Sequence, residues 1–272
     1  MSRRLLLPIA GVLAAALAAG GLTLLVWTID ETHFARPDPG FDRLTSEVAA
    51  VPGVSLDGAE RWVEAPAFGP PTSWVGVAVE EPALADALAT ACATEYADPV
   101  LWSFRATSAG GNALSFAGAE EPTAACPAPA VDATALLERI DGFGRGLELH
   151  ASLREGAFAL DAFEDVSGGL PALLPIVRAA EDLRDAAGAD RGAPVEISGP
   201  WTAITVGPGE QERTAALLTT LVEEHGVTAY WATEDGLRIV APDGGHTAIE
   251  AAVRASGLPV ADLPLRFEAD ES

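Results

Sequence analysis

Short apolar stretches with the spacing of strands and helices alternate along most of the chain, and one long apolar segment precedes them. Residues 5–29 contain no charged residue and follow Arg3 and Arg4. A helix of about 25 residues is long enough to cross a hydrocarbon core of about 30 Å, and basic residues before it favour a cytoplasmic N-terminus. We therefore expect a cytoplasmic tip (1–4), a transmembrane helix or signal anchor, and an extracytoplasmic remainder that begins with a stalk (30–40).

A cleaved signal peptide is the alternative explanation of this segment. Signal peptides have an apolar core of about 7–15 residues followed by small residues at the cleavage site, and Ala16-Leu17-Ala18 has that form. The apolar character nevertheless continues to Ile29, and Trp27 lies where an interfacial aromatic residue is expected. These two features favour an uncleaved anchor with its globular region outside the cell membrane.

Helix, strand and turn signals alternate beyond the stalk at intervals too short for separate helical and sheet domains. Asp38 before Pro39 is typical of a helix N-cap, and Pro52-Gly53 is typical of a turn. The signals predict a helix (41–50), a strand (73–79), a helix from Pro82 to about Cys92, a hairpin (99–118), a helix capped by Asp132 (133–140) and a strand (146–152).

The same order of signals recurs in the second half of the chain. The strand 201–206 has the apolar pattern of the strand 73–79, and a helix (211–225), a hairpin (228–242), a helix opened by a capping box at Thr247 and Glu250, and a strand (263–269) follow it. Each half reads β-α-β-β-α-β, the ferredoxin-like order, after one additional helix and strand. We therefore predict an α+β fold of two tandem ferredoxin-like copies, residues 41–154 and 155–272.

The charge of the chain is strongly negative. The formal net charge is −24, and there is no lysine, so no lysine-dependent chemistry is available. Two of the 16 basic residues precede the apolar segment, so 14 basic residues accompany 40 acidic ones in the predicted outer region. Such a surface repels nucleic acid and favours cationic or basic partners. Dispersed acidic residues also serve solubility, which is the commoner explanation.

Cys92 and Cys126 are the two cysteines of the chain. A pair of cysteines in an exported domain is more often a disulfide than two free thiols. Closing a loop of about 35 residues would stabilise the fold by about 3 to 4 kcal/mol in the chain-entropy model. We predict this disulfide, which would pin a proline-rich loop onto the preceding helix.

The motif search supports no particular reaction. The sequence lacks a G-x-S-x-G nucleophile elbow, a P-loop, a G-x-G-x-x-G turn after a strand, an H-E-x-x-H pair and a calcium loop. His246 and Glu250 are spaced to share a helix face, but two residues do not make a metal site and Glu250 has a capping role. Asp161, Glu164 and Asp165 form an acidic cluster that is more typical of a solvated loop. We predict no catalytic residue, cofactor or metal.

Two further patterns were weighed as binding sites. Trp62, Trp74, Trp102, Trp201 and Trp231 could line a groove, but their strand positions favour the core of a sheet. The turn 207–209, Gly-Pro-Gly, could hold a phosphate, but the acidic residues that follow it would repel an anion.

The function expected from these features is a membrane-anchored extracytoplasmic module that binds a protein partner in the cell envelope without catalysis. The alternative is a receptor for a small ligand or cation, or a carboxylate-dependent enzyme, with its site in the cleft between the two copies. Buried carboxylates in such a cleft would favour the alternative, and a dry interface would favour the interaction module.

Overall fold

The computed structural model describes residues 33–64, 69–119, 121–154, 156–163 and 169–268. Twelve strands in this part of the chain form one mixed sheet. They are β1 (His33–Ala35), β2 (Val54–Glu64), β3 (Thr72–Glu80), β4 (Leu101–Thr107), β5 (Ala113–Ala117), β6 (Glu148–Arg154), β7 (Ala157–Ala162), β8 (Val195–Gly199), β9 (Thr202–Val206), β10 (Ala229–Thr233), β11 (Gly236–Val240) and β12 (Leu265–Glu268).

Seven α-helices accompany the sheet in the described ranges. They are α1 (Pro39–Ala49), α2 (Leu84–Ala93), α3 (Ala133–Ile140), α4 (Gly169–Arg178), α5 (Ala180–Ala186), α6 (Gln211–Glu223) and α7 (His246–Ala255). Short 3-10 helices cover Glu81–Ala83 and Pro259–Asp262. Most of these elements lie within a few residues of the predicted ones.

The strands are ordered in the sheet as they are ordered in the chain. Antiparallel hairpins such as β4–β5 and β10–β11 alternate with parallel pairs such as β3–β4 and β9–β10. Each parallel pair is joined by one helix or, for β7–β8, by α4 and α5. The repeating unit is therefore a hairpin followed by a helical crossover to the neighbouring position.

The prediction of two tandem ferredoxin-like copies is wrong. In a split β-α-β unit a further strand lies between the two strands that a helix connects, whereas here those two strands are direct neighbours in one sheet. The predicted boundary between the copies lies between β6 and β7, and these two strands pair at six positions. Local signals for hairpins and helices are the same in both topologies, so they cannot decide which strands become neighbours.

The two faces of the sheet differ in character. Val77 on β3 pairs in register with Phe104 on β4, which pairs with Phe116 on β5. All three side chains are buried beneath the helices, and the rings of Phe104 and Phe116 stack with centroids 5.2 Å apart. On the opposite face, exposed Arg105 forms an ion pair with Glu148 at 3.0 Å. The molecule thus has a helix-covered face that contains the core and a face without helices.

The tryptophans of β4 and β10 differ by one residue in their positions along the strands. Trp102 on β4 is buried on the helix-covered face, where its Nε1 donates to the Ala125 carbonyl at 2.7 Å. On β10 the corresponding inward position is Tyr230, and Trp231 lies on the opposite face. Because successive strand residues point to opposite faces, Trp102 and Trp231 lie on different faces of the sheet.

The helix caps confirm part of the prediction. The Asp38 carboxylate accepts hydrogen bonds from the amides of Gly40 and Phe41, and Asp132 caps α3 in the same way. The capping box is wrong, because α7 begins at His246 and no side chain caps it. An N-terminal cap satisfies amides that lack an intrahelical partner, so Asp38 and Asp132 fix where α1 and α3 begin.

The predicted disulfide between Cys92 and Cys126 is confirmed, with the two Cα atoms 4.1 Å apart. Cys92 lies at the end of α2 and Cys126 lies in the loop before α3. Ala125, beside Cys126, accepts the hydrogen bond of Trp102. The loop is therefore fixed to the core by a covalent bond and by a buried hydrogen bond.

Three further predictions concern the membrane span, the stalk and the centre of the sheet. No helix of the described residues is long and apolar enough to cross a membrane, and the predicted span, residues 5–29, lies outside them. Part of the predicted stalk is ordered, because β1 pairs with β2 and α1 begins at Pro39. Strand β7 was not predicted, although it lies in the centre of the sheet.

Candidate ligand-binding site

A cavity lies where the parallel strands β9 and β10 separate. Thr202 pairs with Tyr230 and Ala203 with Trp231, and these are the two pairs that join the strands, although the strands continue to residues 206 and 233. The gap beyond the second pair opens into a cavity of about 500 Å³. Ligand pockets commonly have volumes of about 300 to 1,000 Å³, and the carboxyl ends of parallel strands are a frequent position for them.

The loop from β9 to α6 forms one wall and is held in a fixed conformation. Gly209 has φ +73° and donates its amide hydrogen to Glu181 Oε1 at 2.7 Å, and the Glu181 amide donates to Gln211 Oε1 at 2.6 Å. Gly207 accepts from the Glu210 amide at 3.0 Å. A Cβ atom at Gly207 would lie 2.6 Å from Glu210 Oε2. The absence of a side chain at this glycine therefore leaves room for the Glu210 carboxylate.

The connection from α7 to β12 forms the opposite wall. Gly257 ends the helix at φ +64°, and its carbonyl accepts a hydrogen bond from Arg213 Nη1 at 2.8 Å. The other terminal nitrogen of Arg213 lies 3.4 Å from Glu210 Oε1. Leu258 and Val260 then present apolar surface to the cavity. Arg213 thus ties the two walls together from outside the cavity.

Two side chains of the cavity wall are buried, and their hydroxyl groups form no hydrogen bond with described residues. Tyr230 on β10 is 3% exposed and Thr214 on α6 is 6% exposed, and both line the cavity. Burial raises the pKa of the Tyr230 phenol well above its ordinary value, so the phenol stays neutral. Neither hydroxyl oxygen is among the fully buried polar atoms without a partner, so both are accessible from the cavity, where a ligand or water can bind them.

The charged groups of the cavity are all acidic. Glu196, Glu210 and Glu234 line it, and its described lining contains no arginine or histidine. Glu210 has Arg213 as a partner, whereas Glu196 and Glu234 form no ion pair with described residues and lie exposed at the opening. With the apolar side chains of Ile204, Leu258, Val260 and Leu263, the cavity combines an apolar body with acidic groups at its edge.

The pair His246 and Glu250 does not form a site. His246 stacks on Phe267 with ring centroids 3.9 Å apart and an interplanar angle of 7°. Its Nε2 is buried and has no hydrogen-bond partner in the described part of the chain. Glu250 instead binds Arg254, one helical turn along α7, at 2.8 Å. The two side chains therefore have separate structural partners.

Asp161 lies in a strand, which corrects the prediction that it belongs to a solvated loop. Its carboxylate pairs with Arg154 and accepts a hydrogen bond from Ser198. His150 faces Asp161 in the register of β6 and β7. Burial lowers the pKa of His150, with Asp161 opposing that shift and Arg154 adding to it. Glu164 and Asp165, the other members of the predicted cluster, lie outside the described residues.

The tryptophans form no common groove. Trp102 is in the core, Trp62 and Trp74 are half-buried on the first strands, and Trp201 is 55% exposed in the β8–β9 turn. Trp231 lies on the face without helices, with the guanidinium of Arg238 4.8 Å from its ring centre. The preference for sheet core is therefore correct for Trp102 and wrong for Trp201.

The Gly-Pro-Gly turn lines the cavity through Gly207 but is not a phosphate site. The amide of Gly209, which a phosphate would need, already donates to the Glu181 carboxylate. Glu210 lies over Gly207 and would repel an anion. This agrees with the interpretation made from the acidic residues after the turn.

Sequence reasoning missed the cavity itself. The polar residues that line it lie on β10, on α6 and at the opening of the cavity, and none of them lies in a recognisable motif. The one usable signal was Tyr230, a tyrosine at an inward strand position, whose hydroxyl needs a partner. The premature end of the β9–β10 pairing is a property of the folded sheet and has no counterpart in the spacing of residues.

No metal site accompanies the cavity, because the described residues contain no group of three or more histidine, cysteine, aspartate or glutamate side chains arranged to hold a metal ion. No protein family model, curated protein or solved structure matches the chain. The residues that line the cavity are therefore the basis for assigning a function.

Proposed function

We propose that the protein binds a small organic molecule in the cavity between β9 and β10. The observation that carries this proposal is the buried Tyr230 side chain, whose hydroxyl is accessible from a cavity of about 500 Å³ and has no partner among the described residues. Such a group is available to form a hydrogen bond with a ligand in the cavity. The position at the carboxyl ends of parallel strands supports the same function.

Binding without catalysis is the function that this lining supports best. Three carboxylates and three hydroxyl-bearing threonines line the cavity, but no histidine or cysteine is among its described lining residues. A pair of groups that could activate a nucleophile is therefore not assembled there. The alternative expected from the sequence placed a site between two copies, and the single sheet replaces that location with the β9–β10 gap.

The compartment is part of the proposal. The disulfide between Cys92 and Cys126 is typical of proteins in oxidising compartments and supports an extracytoplasmic position. The apolar segment 5–29 would then hold the binding region at the membrane. The protein would act there as a tethered receptor for its ligand.

A thermal-shift screen tests the binding function. The full-length protein in detergent is heated with a library of small molecules, alongside the variant Ala232→Trp, which fills the cavity, and the control Ala117→Trp, which changes an exposed alanine of β5. A ligand at 100 times its Kd stabilises the native state by about 2.7 kcal/mol. We expect compounds that stabilise the wild type and the control but not Ala232→Trp. Equal stabilisation of all three proteins would contradict binding in the cavity.

A protein-interaction module is the second candidate. Phe163 and Trp201 lie together at one end of the sheet and are 44% and 55% exposed. Exposed aromatic residues that line the same depression are typical of binding surfaces for proteins. A photo-crosslinker at residue 201 in the native membrane should then give one defined adduct that a crosslinker at residue 117 does not give, and a smear common to both positions would exclude this candidate.

A further inference from the structure

We infer that the ligand of this cavity is an organic cation, an amine or ammonium group carried on an apolar body. This inference rests on the proposed binding function and adds the chemical class of the ligand. It depends on two independent features of the site, which are its carboxylates without an ion-pair partner and two buried side chains whose hydroxyl groups have no hydrogen-bond partner among the described residues.

The charge of the opening excludes an anionic ligand. Glu196 and Glu234 line the cavity and form no ion pair with described residues. Arg213 balances Glu210 from outside the lining. An anion would have to approach two carboxylates without a basic group to receive it, whereas a cation would be attracted by both.

The interior favours an organic cation over a metal ion. Leu258, Val260 and Leu263 form an apolar wall opposite Ile204, and such a wall offers nothing to a hydrated metal. An apolar body would remove water from these side chains. The ammonium group would then lie toward Glu196 and Glu234 at the opening.

The two hydroxyl groups without a partner fix the orientation of the ligand. Tyr230 and Thr214 lie in the wall, and each can donate or accept a hydrogen bond. Because the Tyr230 phenol stays neutral, it adds no charge to the site. A polar atom of the ligand that reaches these hydroxyl groups would form a hydrogen bond with them. The cavity thus favours a ligand that has a cationic group at one end and a second polar atom.

The field of the whole protein acts in the same direction. A net charge of −24 raises the local concentration of cations and lowers that of anions. This effect does not depend on the cavity, so a test must separate it from the site. The variant Ala232→Trp does so, because it fills the cavity and leaves the net charge unchanged.

The test uses three probes with the same ring and different charge, which are tryptamine as the cation, 3-methylindole as the neutral molecule and indole-3-acetate as the anion. The stabilisation of the full-length protein by millimolar concentrations of each gives its Kd. We expect the affinity to fall in the order cation, neutral, anion, with a step of about three- to tenfold between cation and neutral probe. Ala232→Trp should abolish the response to all three probes.

Charge variants assign the preference to the opening. In the double variant Glu196→Gln with Glu234→Gln, tryptamine should bind about three- to tenfold more weakly, and the affinity for 3-methylindole should not change. Glu250→Gln is the control, because Glu250 pairs with Arg254 on α7 outside the cavity. Raised salt should weaken tryptamine binding to the wild type and leave the neutral probe unaffected.

The outcomes separate this inference from the proposed function. Equal binding of the three probes, or strongest binding of indole-3-acetate, would show that the cationic class is wrong. If Ala232→Trp also abolishes that binding, the cavity still binds ligands. If tryptamine stabilises Ala232→Trp as strongly as the wild type, its effect comes from the general charge and the inference fails. If no probe stabilises the wild type although other library compounds do so through the cavity, the binding function stands and the cationic class is wrong. If neither the probes nor the library compounds stabilise it, both the inference and the binding function are contradicted. A response to calcium that exceeds the response to tryptamine would identify a metal site instead.

Discussion

The two tyrosines of the chain provide a matched pair of perturbations, because their hydroxyl groups have opposite environments. Tyr96 accepts a hydrogen bond from Arg61 Nε at 3.1 Å and forms another with Ser73 at 3.2 Å. Tyr230 is more deeply buried and has no hydrogen-bond partner in the described residues. The same substitution, tyrosine to phenylalanine, should therefore change stability in different directions at the two positions.

The magnitudes follow from the partners. Tyr96→Phe leaves the Arg61 guanidinium and the buried Ser73 hydroxyl each without one partner, which should lower the free energy of unfolding by about 1 to 3 kcal/mol. Tyr230→Phe removes a hydroxyl that bonds to no described residue and is accessible from the cavity, so no hydrogen bond within the protein is lost. We therefore expect the variant to match the wild type or to exceed its stability by up to about 1 kcal/mol.

Urea denaturation of the ligand-free protein measures both effects. The midpoint should fall for Tyr96→Phe and should stay equal or rise for Tyr230→Phe, with the slope m unchanged in both. With a ligand from the library screen the order should reverse for Tyr230, because the variant loses the hydrogen bond to the ligand. A loss of more than about 1 kcal/mol in ligand-free Tyr230→Phe would refute the reasoning, since it would require an existing partner for the hydroxyl.

Three further predictions concern parts of the fold away from the cavity. Replacing Cys92 and Cys126 by alanine should lower the free energy of unfolding by about 3 kcal/mol, and added reductant should then no longer change the urea midpoint. Asp38→Ala should cost about 1 kcal/mol in the same assay, since two amides of α1 lose their acceptor, and Asp42→Ala, which removes a carboxylate of the first turn that accepts no cap hydrogen bond, should cost less. The depressed pKa of His150 means that the unfolded state binds its proton more readily, so stability should be complete above about pH 6.5 and should fall as the pH falls further; His150→Gln should flatten that fall, and an unchanged pH profile would contradict this.

Most elements of the fold were predictable because their signals are local. Asp38 and Asp132 are caps with defined partners. Pro52-Gly53 forms the turn between α1 and β2, and Gly110-Gly111 forms the turn between β4 and β5. The order of strands in the sheet was not predictable in this way. Whether a helix returns the chain to the next position or past an intervening strand depends on contacts between distant residues, and both choices use the same alternation of apolar positions.

The features that the sequence did not predict also have physical explanations. Strand β7 was missed because its sequence AFALDA has alanines on the face without helices, so its pattern looks neither alternating nor continuous. Trp102 and Trp231 are both tryptophans near a strand start, but a shift of one residue places them on opposite faces. The cavity depends on the point where β9 and β10 stop pairing, which no residue type marks.

The most direct test of binding in the β9–β10 cavity is an NMR titration of the full-length protein with labelled tyrosine, using the strongest compound from the library screen. The chain contains two tyrosines, so the spectrum reports one position in the cavity wall and one far from it. We predict that the Tyr230 signals shift with saturation at one equivalent while the Tyr96 signals stay in place, and that Ala232→Trp abolishes the shift. Unchanged Tyr230 signals at concentrations that stabilise the protein would contradict the account.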